Sequence, residues 1–529
     1  MGYTTYFFMI FILGGSLLLY YAVPKRFRWC ILLAASYLFY SISSGWMAIF
    51  ILLSTLSIFG AGLLLGRISE SFSKAKALCP REERKILKRK AVRRKKWVVA
   101  GTIAVNFGIL FFFKYFNFFA SNVNHLLNHF PSVPGIPLLR LIMPLGISFY
   151  TLQAVSYVVD VYRGRCQPDR HLGRLALFVS FFPQIVEGPI GRYNDLAPQL
   201  YEGHSFDYRT FTFGLQLMLW GLFKKIVIAD RANMLVQTVF SHDAKYSGTA
   251  ILMAILVYTL QIYADFSGMM DMVSGMAQLY GIHLAENFRR PFFSRSVNEF
   301  WRRWHITLGA WLRDYIFYPV SLSKPFGKIS KFFKKHCGDH LGQFLPAAMA
   351  LFFVWFGNGV WHGASWKYIF YGLYYYAIMM AGLLFEPLIR KLQNRLHIRP
   401  DSRPYRCFQI FRTFLLVNIG MLIFRAPGLR TAFRMLTSVF SEFSLQAFTD
   451  GSLLQLGLDL YDYAVLLGGV VLLVAVGLLQ EKGIRLRESV ARRHIVLRWT
   501  IYFAAIFLVI IFGAYGDGYV PVEPLYAQF

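Results

Sequence analysis

Hydrophobic stretches recur along the chain from Thr5 to Gly513, with no polar block between them large enough to fold as a soluble domain. Such stretches suit lipid rather than a water-soluble core, because about 20 consecutive apolar residues match the hydrocarbon thickness of a bilayer. Composition agrees: of 529 residues, 56% are hydrophobic and 16% charged, and the mean hydropathy is +0.45. These values exclude a soluble enzyme and a disordered chain alike. The expected fold is all-α, a polytopic membrane protein with residues 1–529 forming a single integral membrane domain.

The chain carries 56 Lys and Arg against 27 Asp and Glu, a net charge of +29. With 18% aromatic residues among the apolar runs, the polyanion this surplus points to is the membrane surface and its lipids, not nucleic acid. The five cysteines are widely spaced, most beside basic segments, so no disulfide framework is expected.

Candidate spans are 5–22, 29–42, 46–66, 97–119, 138–159, 211–237, 249–280, 343–361, 365–385, 408–425, 461–480 and 498–513, giving about 11–12 crossings. Residues 5–22 have signal-peptide length, but Lys25, Arg26 and Arg28 follow them and no cationic region precedes them. This first span is expected to be retained with its N-terminus outside. The loop from Arg67 to Lys96 holds 13 Lys and Arg against three Glu, which assigns it to the cytoplasm. Counting crossings puts the basic segments 386–407 and 482–498 on the same side and both termini outside the cytoplasm. The localisation expected is the cytoplasmic (inner) membrane.

Two segments are neither good spans nor good loops. In 172–199, Pro183, Gly188 and Pro189 interrupt an apolar run, as in a re-entrant segment. In 286–342, Val297, Trp301, Trp304, Leu308, Trp311 and Tyr315 recur every three or four residues, which predicts one amphipathic helix lying along the cytoplasmic interface.

His362 stands between two apolar runs that are expected to form a tight hairpin around Gly357, Gly359 and Gly363, with aromatic residues such as Trp361 walling it. An ionisable residue at membrane depth is a functional candidate; the alternative is a neutral staple of the hairpin. Asn358 precedes it by one helical turn. His305 flanks the apolar stripe of the interfacial helix, either as part of a site or as an interfacial side chain. Asp314 is expected to pair with Arg302, Arg303 or a lipid headgroup. Asp265, Ser267 and Asp271 lie in an otherwise apolar helix and should face a cavity or a partner. His336, Cys337, Asp339 and His340 lack the spacing of a zinc site, so no metal is expected.

The segments MPLGISFYTLQAVSYVVDVYRG (143–164), FFPQIVEGPIGRYNDLAPQL (181–200), YADFSGMMDM (263–272), ENFRRPFFSRSVNEFWRRWHITLGAWLRDYIFYP (286–319), VWHGASW (360–366) and FGAYGDGYVPVEPLYAQF (512–529) resemble the membrane-bound O-acyltransferase family. The likeness is strongest to its bacterial branch that acetylates alginate and other exported polysaccharides. The resemblance implies a ring of transmembrane helices around a thin, funnel-shaped centre, with horizontal helices on the cytoplasmic side. It implies that His362 is the catalytic histidine and His305 the second histidine. The chemistry of acyl transfer then suits Asn358, Asp314 and Trp361 to supporting or orienting them, and Arg302 and Arg303 either to contacting the donor's phosphates or to anchoring the segment at the cytoplasmic face. No bound cofactor is expected; the donor would be a cytoplasmic acyl thioester, acetyl-coenzyme A or an acyl carrier protein. The other partners implied are an exported polysaccharide and an outer-side acyltransferase protein. The branch that moves D-alanine onto teichoic acids and a non-enzymatic acyl-passing transporter are the alternatives. The chain departs from the alginate pattern at FYPVSLSKPFGK (317–328) and at Glu187, which leaves the acceptor open.

The charge pattern makes a direct prediction. In a background without the native cysteines, Pro80→Cys and Arg395→Cys should stay unlabelled by an impermeant thiol reagent in intact cells and react after lysis. Labelling before lysis would reverse the orientation.

Overall fold

Inside a bilayer each peptide N–H and C=O must find its partner within the protein, and a helix achieves this without other segments. The computed structural model describes residues 2–130 and 133–515, and these carry helices and no strand apart from an isolated antiparallel bridge between Phe288 and Trp304. The side chains of Cys337, Asp339, His340 and Gln343 lie outside the description, as does the 512–529 motif beyond Tyr515. The principal helices are α1 (Phe8–Ala22), α2 (Arg28–Ser44), α3 (Ala48–Leu78), α4 (Glu83–Leu127), α5 (Ile147–Arg163), α6 (Leu172–Ser180) and α7 (Tyr193–Glu202). They continue with α8 (Tyr208–Ser241), α9 (Gly248–Leu279), α10 (Val297–Arg303), α11 (Ile306–Leu312), α12 (Lys324–His362) and α13 (Trp366–Leu384). The last five are α14 (Glu386–Arg395), α15 (Arg403–Arg425), α16 (Leu429–Ser441), α17 (Leu460–Glu481) and α18 (Ile495–Phe512).

Eight helical stretches among the described residues are long and apolar enough to cross a membrane: Lys25–Leu78, α4, α8, α9, Phe344–His362, α15, α17 and α18. The bent pair α13 and α14, at 54°, makes a ninth. The difference from the twelve expected stretches has local causes. Residues 5–22 fall on the short α1, and 29–42 and 46–66 share the stretch Lys25–Leu78. The stretch 138–159 is cut short because Pro144 disfavours helix before it and Gly146 takes a left-handed φ of 68°, so α5 begins only at Ile147.

The chain divides into two compact units, Met1–Leu215 with Val273–Ala285, and Gln216–Met272 with Glu286–Leu525. In the first, α3 and α4 pair as a long hairpin and α5 packs against both. Asn106 of α4 ties that hairpin, its Oδ1 accepting from Ser54 Oγ (2.5 Å) and its Nδ2 donating to Ser57 Oγ (2.9 Å). Between α6 and α7 the chain leaves the helical path, yet Phe181–Gly191 are all buried. Side chains from elsewhere in the unit supply the missing partners: Phe182 N–H donates to Ser36 Oγ (3.0 Å), and Tyr3 Oη donates to the Phe182 carbonyl (2.7 Å).

In the second unit, α8 and α9 touch backbone to backbone at Gly221 and Gly268, where an added Cβ on either would meet the other's carbonyl at 2.5 or 2.8 Å. That approach lets two lysines inside α8 reach the polar residues of α9. Lys224 contacts Asp271 (2.6 Å) and donates to Ser267 Oγ (3.0 Å), while Lys225 lies between Asp265 (2.8 Å) and Asp230 (2.9 Å). Asp265, Ser267 and Asp271 thus have partners, which are Lys224 and Lys225 rather than residues singled out from the sequence.

Removing one member of a buried charge group leaves the others uncompensated, at about 3–5 kcal/mol. Lys225→Met should therefore lower the thermal stability of the purified protein strongly. Loss of the exposed Arg170–Glu70 pair through Arg170→Ala should cost about 0–1 kcal/mol. Equal melting temperatures for the two variants would contradict the structural role of the cluster.

Candidate active site

The interfacial segment is not one helix. Helix α10 ends at Arg303, His305 takes a left-handed φ of 47°, and α11 restarts at Ile306. A non-glycine residue adopts that conformation only where its surroundings hold it. Here Asn287–Arg289 run antiparallel to the break: Arg289 N–H donates to the Arg303 carbonyl (2.8 Å) and Ile306 N–H to the Asn287 carbonyl (3.0 Å). The expected stripe survives, with Val297, Trp304, Leu308 and Trp311 buried, but it is divided between two short helices and the break between them, where Trp304 lies. Trp301 anchors α10 by packing edge-on against Trp355 (5.0 Å) and Tyr375 (4.9 Å) of α12 and α13.

His305 does not sit at an interface edge; it is 2% exposed. Its ring meets Phe266 of α9 edge to face at 4.9 Å, and Nδ1 lies 3.2 Å from Asn287 Oδ1. Burial lowers its pKa to about 3, so the imidazole is neutral at physiological pH.

His362 is the last residue of α12, and the turn to α13 is Gly363–Ser365. Gly357 and Gly359 are therefore not in the turn, as expected, but within α12. Gly359 and Gly372 instead let α12 and α13 touch: a Cβ at 372 would stand 2.2 Å from the Trp355 carbonyl, and one at 359 would stand 2.5 Å from that of Tyr368. His362 is buried among Trp361 (5.1 Å), Tyr371 (5.7 Å) and Phe424 (5.2 Å). The Trp361 ring also lies 5.7 Å from that of His305, so one indole packs against both histidines. Asn358 is buried in α12, and its Nδ2 has no hydrogen-bond acceptor among the described residues.

The charged candidates separate. Arg303 is engaged by Glu299 (2.7 Å) and by Glu481 of α17 (2.8 Å), which also binds Arg290 (2.5 Å). Arg302 is exposed. Asp314 pairs with its neighbour Arg313 (3.2 Å) rather than with Arg302 or Arg303. Sequence reasoning missed Asn287, Phe266, Tyr371 and Phe424, and nothing in their local spacing marks them.

The model of the membrane-bound O-acyltransferase family matches residues 169–424, which contain both histidines. Over 445 residues the chain is 33% identical to a probable alginate O-acetylase of Pseudomonas aeruginosa, covering 83% of this chain and 75% of that protein. The chain belongs to the membrane-bound O-acyltransferase family. It is therefore a multi-pass membrane O-acyltransferase. It is also 31% identical over 367 residues to a peptidoglycan O-acetyltransferase of Helicobacter pylori, covering 64% of each chain. Over 314 residues it is 30% identical to a teichoic acid D-alanyltransferase of Bacillus subtilis, covering 58% of this chain and 74% of that one.

The close approach of α12 and α13 makes a test of this O-acyltransferase. Gly372→Ala should force the helices apart, lowering acyl transfer and costing about 1–3 kcal/mol of stability. Gly382→Ala, on the same helix with nothing within 4 Å of its Cβ, should leave both near wild type. Acyl-transfer assays and thermal unfolding of the two variants provide the comparison.

Proposed function

We propose that this O-acyltransferase of the cytoplasmic membrane takes an acetyl group from a cytoplasmic thioester, coenzyme A or carrier-bound, and delivers it to hydroxyls of an exported polysaccharide, directly or through an outer-side partner protein. The observation that carries this reading is the packing of His305 and His362 on one indole, among buried aromatic side chains. His362 serves as general base: it takes the acceptor's hydroxyl proton as the oxygen attacks the thioester carbonyl. The C–S bond then breaks and the proton passes to the departing thiolate. Asn358 Nδ2, buried in α12, donates to the developing oxyanion. Of the two arginines, Arg302 is the better donor contact, since the charge of Arg303 is already balanced by glutamates.

The similarity to the Bacillus subtilis enzyme supports a second reading, D-alanyl transfer to teichoic acid. The aromatic rings of Trp361, Tyr371 and Phe424 around His362 suit a small uncharged acyl group such as acetyl.

Glutamine can hydrogen-bond in place of histidine but takes no proton in the working pH range. His362→Ala and His362→Gln should both insert normally and both lose roughly 10²–10⁴-fold in transfer of a labelled acyl group from the thioester. Substantial activity in His362→Gln would make His362 a structural staple and remove it from the chemistry.

A further inference from the structure

Asn287 lies near the start of the 286–319 motif, 18 residues before His305, and was not among the residues singled out for chemistry, yet its side chain is tightly held. It is 3% exposed. The backbone N–H of Thr307, which can only donate, points at one end of its carboxamide at 3.0 Å, and the Thr307 hydroxyl donates to the same atom at 2.8 Å. That end is therefore the oxygen, which leaves Nδ2 to meet Met270 Sδ at 3.2 Å. Because Oδ1 bears no hydrogen, the His305 Nδ1 that lies 3.2 Å away must be the donor. A neutral imidazole carries a single N–H, so Nε2 is unprotonated.

Neutrality follows from burial. Among the described residues, the charged groups on the elements around His305 pair elsewhere or face outward: Asp265 and Asp271 of α9 with Lys225 and Lys224, Arg289 with Glu286, Arg290 with Glu481, Arg303 of α10 with Glu299 and Glu481, and Arg302 exposed. His362 lies against the same Trp361 ring, and Tyr263 of α9 packs on Trp304 beside the break. Phe266 and Trp361 limit ring rotation.

We propose that Asn287 is a positioning residue for acyl transfer: its carboxamide oxygen keeps the His305 proton on Nδ1 and so makes Nε2 a standing proton acceptor in the site that holds His362. The inference deepens the acyl-transfer reading and rests on it for its activity readout. Through Thr307 and the Asn287 carbonyl, the same residue also holds the left-handed turn that delivers the histidine, so one side chain sets both the place of the ring and the position of its proton.

The decisive variant is Asn287→Asp. A carboxylate still accepts from Nδ1 and from Thr307, but its charge favours the imidazolium and raises the His305 pKa from about 3. Function needs Nε2 unprotonated, so activity should fall as pH drops through the raised value. The acid limb of the kcat profile should move up by about one pH unit or more relative to wild type. On a His305→Gln background with residual activity, the same substitution should cause no such shift. Asn287→Leu should lower kcat by about 10-fold or more, with KM nearly unchanged, as loss of tautomer control does. An Asn287→Asp enzyme with the wild-type pH profile would overturn the proposal.

Should that variant fail to accumulate, the wild-type protein decides. With ¹⁵N-labelled histidine in lipid nanodiscs, and the resonance assigned by its absence in His305→Gln, His305 should be a neutral Nδ1–H imidazole; an Nε2–H tautomer would overturn the proposal. Absence of acyl transfer by wild type would instead sink the proposed function and leave the tautomer measurement to stand alone.

Discussion

The need to satisfy every backbone polar group without water governs this protein. Helices meet that need locally, and at two buried places where the chain leaves the helical path a side chain or a second backbone is supplied. Phe181–Gly191 lean on Ser36 and Tyr3, and the break at His305 leans on Asn287 and Arg289. These departures are costly, so they occur where something is gained. The break before α11 and the end of α12 each present a histidine that a continuous helix would have carried on a fixed spiral.

Much of the architecture was legible because hydropathy reports directly on the solvent a helix prefers. The spans from 97–119 and from 211–237 onward fall on helices, and the two histidines come together around Trp361. What spacing cannot report is backbone conformation. Val297, Trp304, Leu308 and Trp311 keep a helical interval across a residue with positive φ, because α10, α11 and the break between them all turn these residues inward. The early part of 138–159 failed for the opposite reason: its residues are apolar enough for a span, but Pro144 and Gly146 obey sterics rather than hydropathy.

The site was legible in its reactive groups and not in their supports. A histidine among apolar residues stands out, whereas Asn287 in a polar-looking run does not, and its partners Thr307 and Met270 are joined to it only by folding. The arginines show the same limit. Charge at Arg303 was evident, but the partner that balances it, Glu481, lies 178 positions away and closes the pair only in three dimensions. Lys224 and Lys225 were hidden by averaging, since two cations hardly lower the hydropathy of a long apolar stretch.

Those two lysines bear on how the chain can be made. An unpaired Lys or Asp near the middle of a membrane helix raises its insertion cost by about 2.5–3.5 kcal/mol, which two lysines in α8 and two aspartates in α9 would each multiply. Together the helices cancel most of that cost, because the close contact at Gly221 and Gly268 joins their charges into one neutralised group. Insertion of α8 and α9 as a pair therefore costs less than insertion of either helix alone.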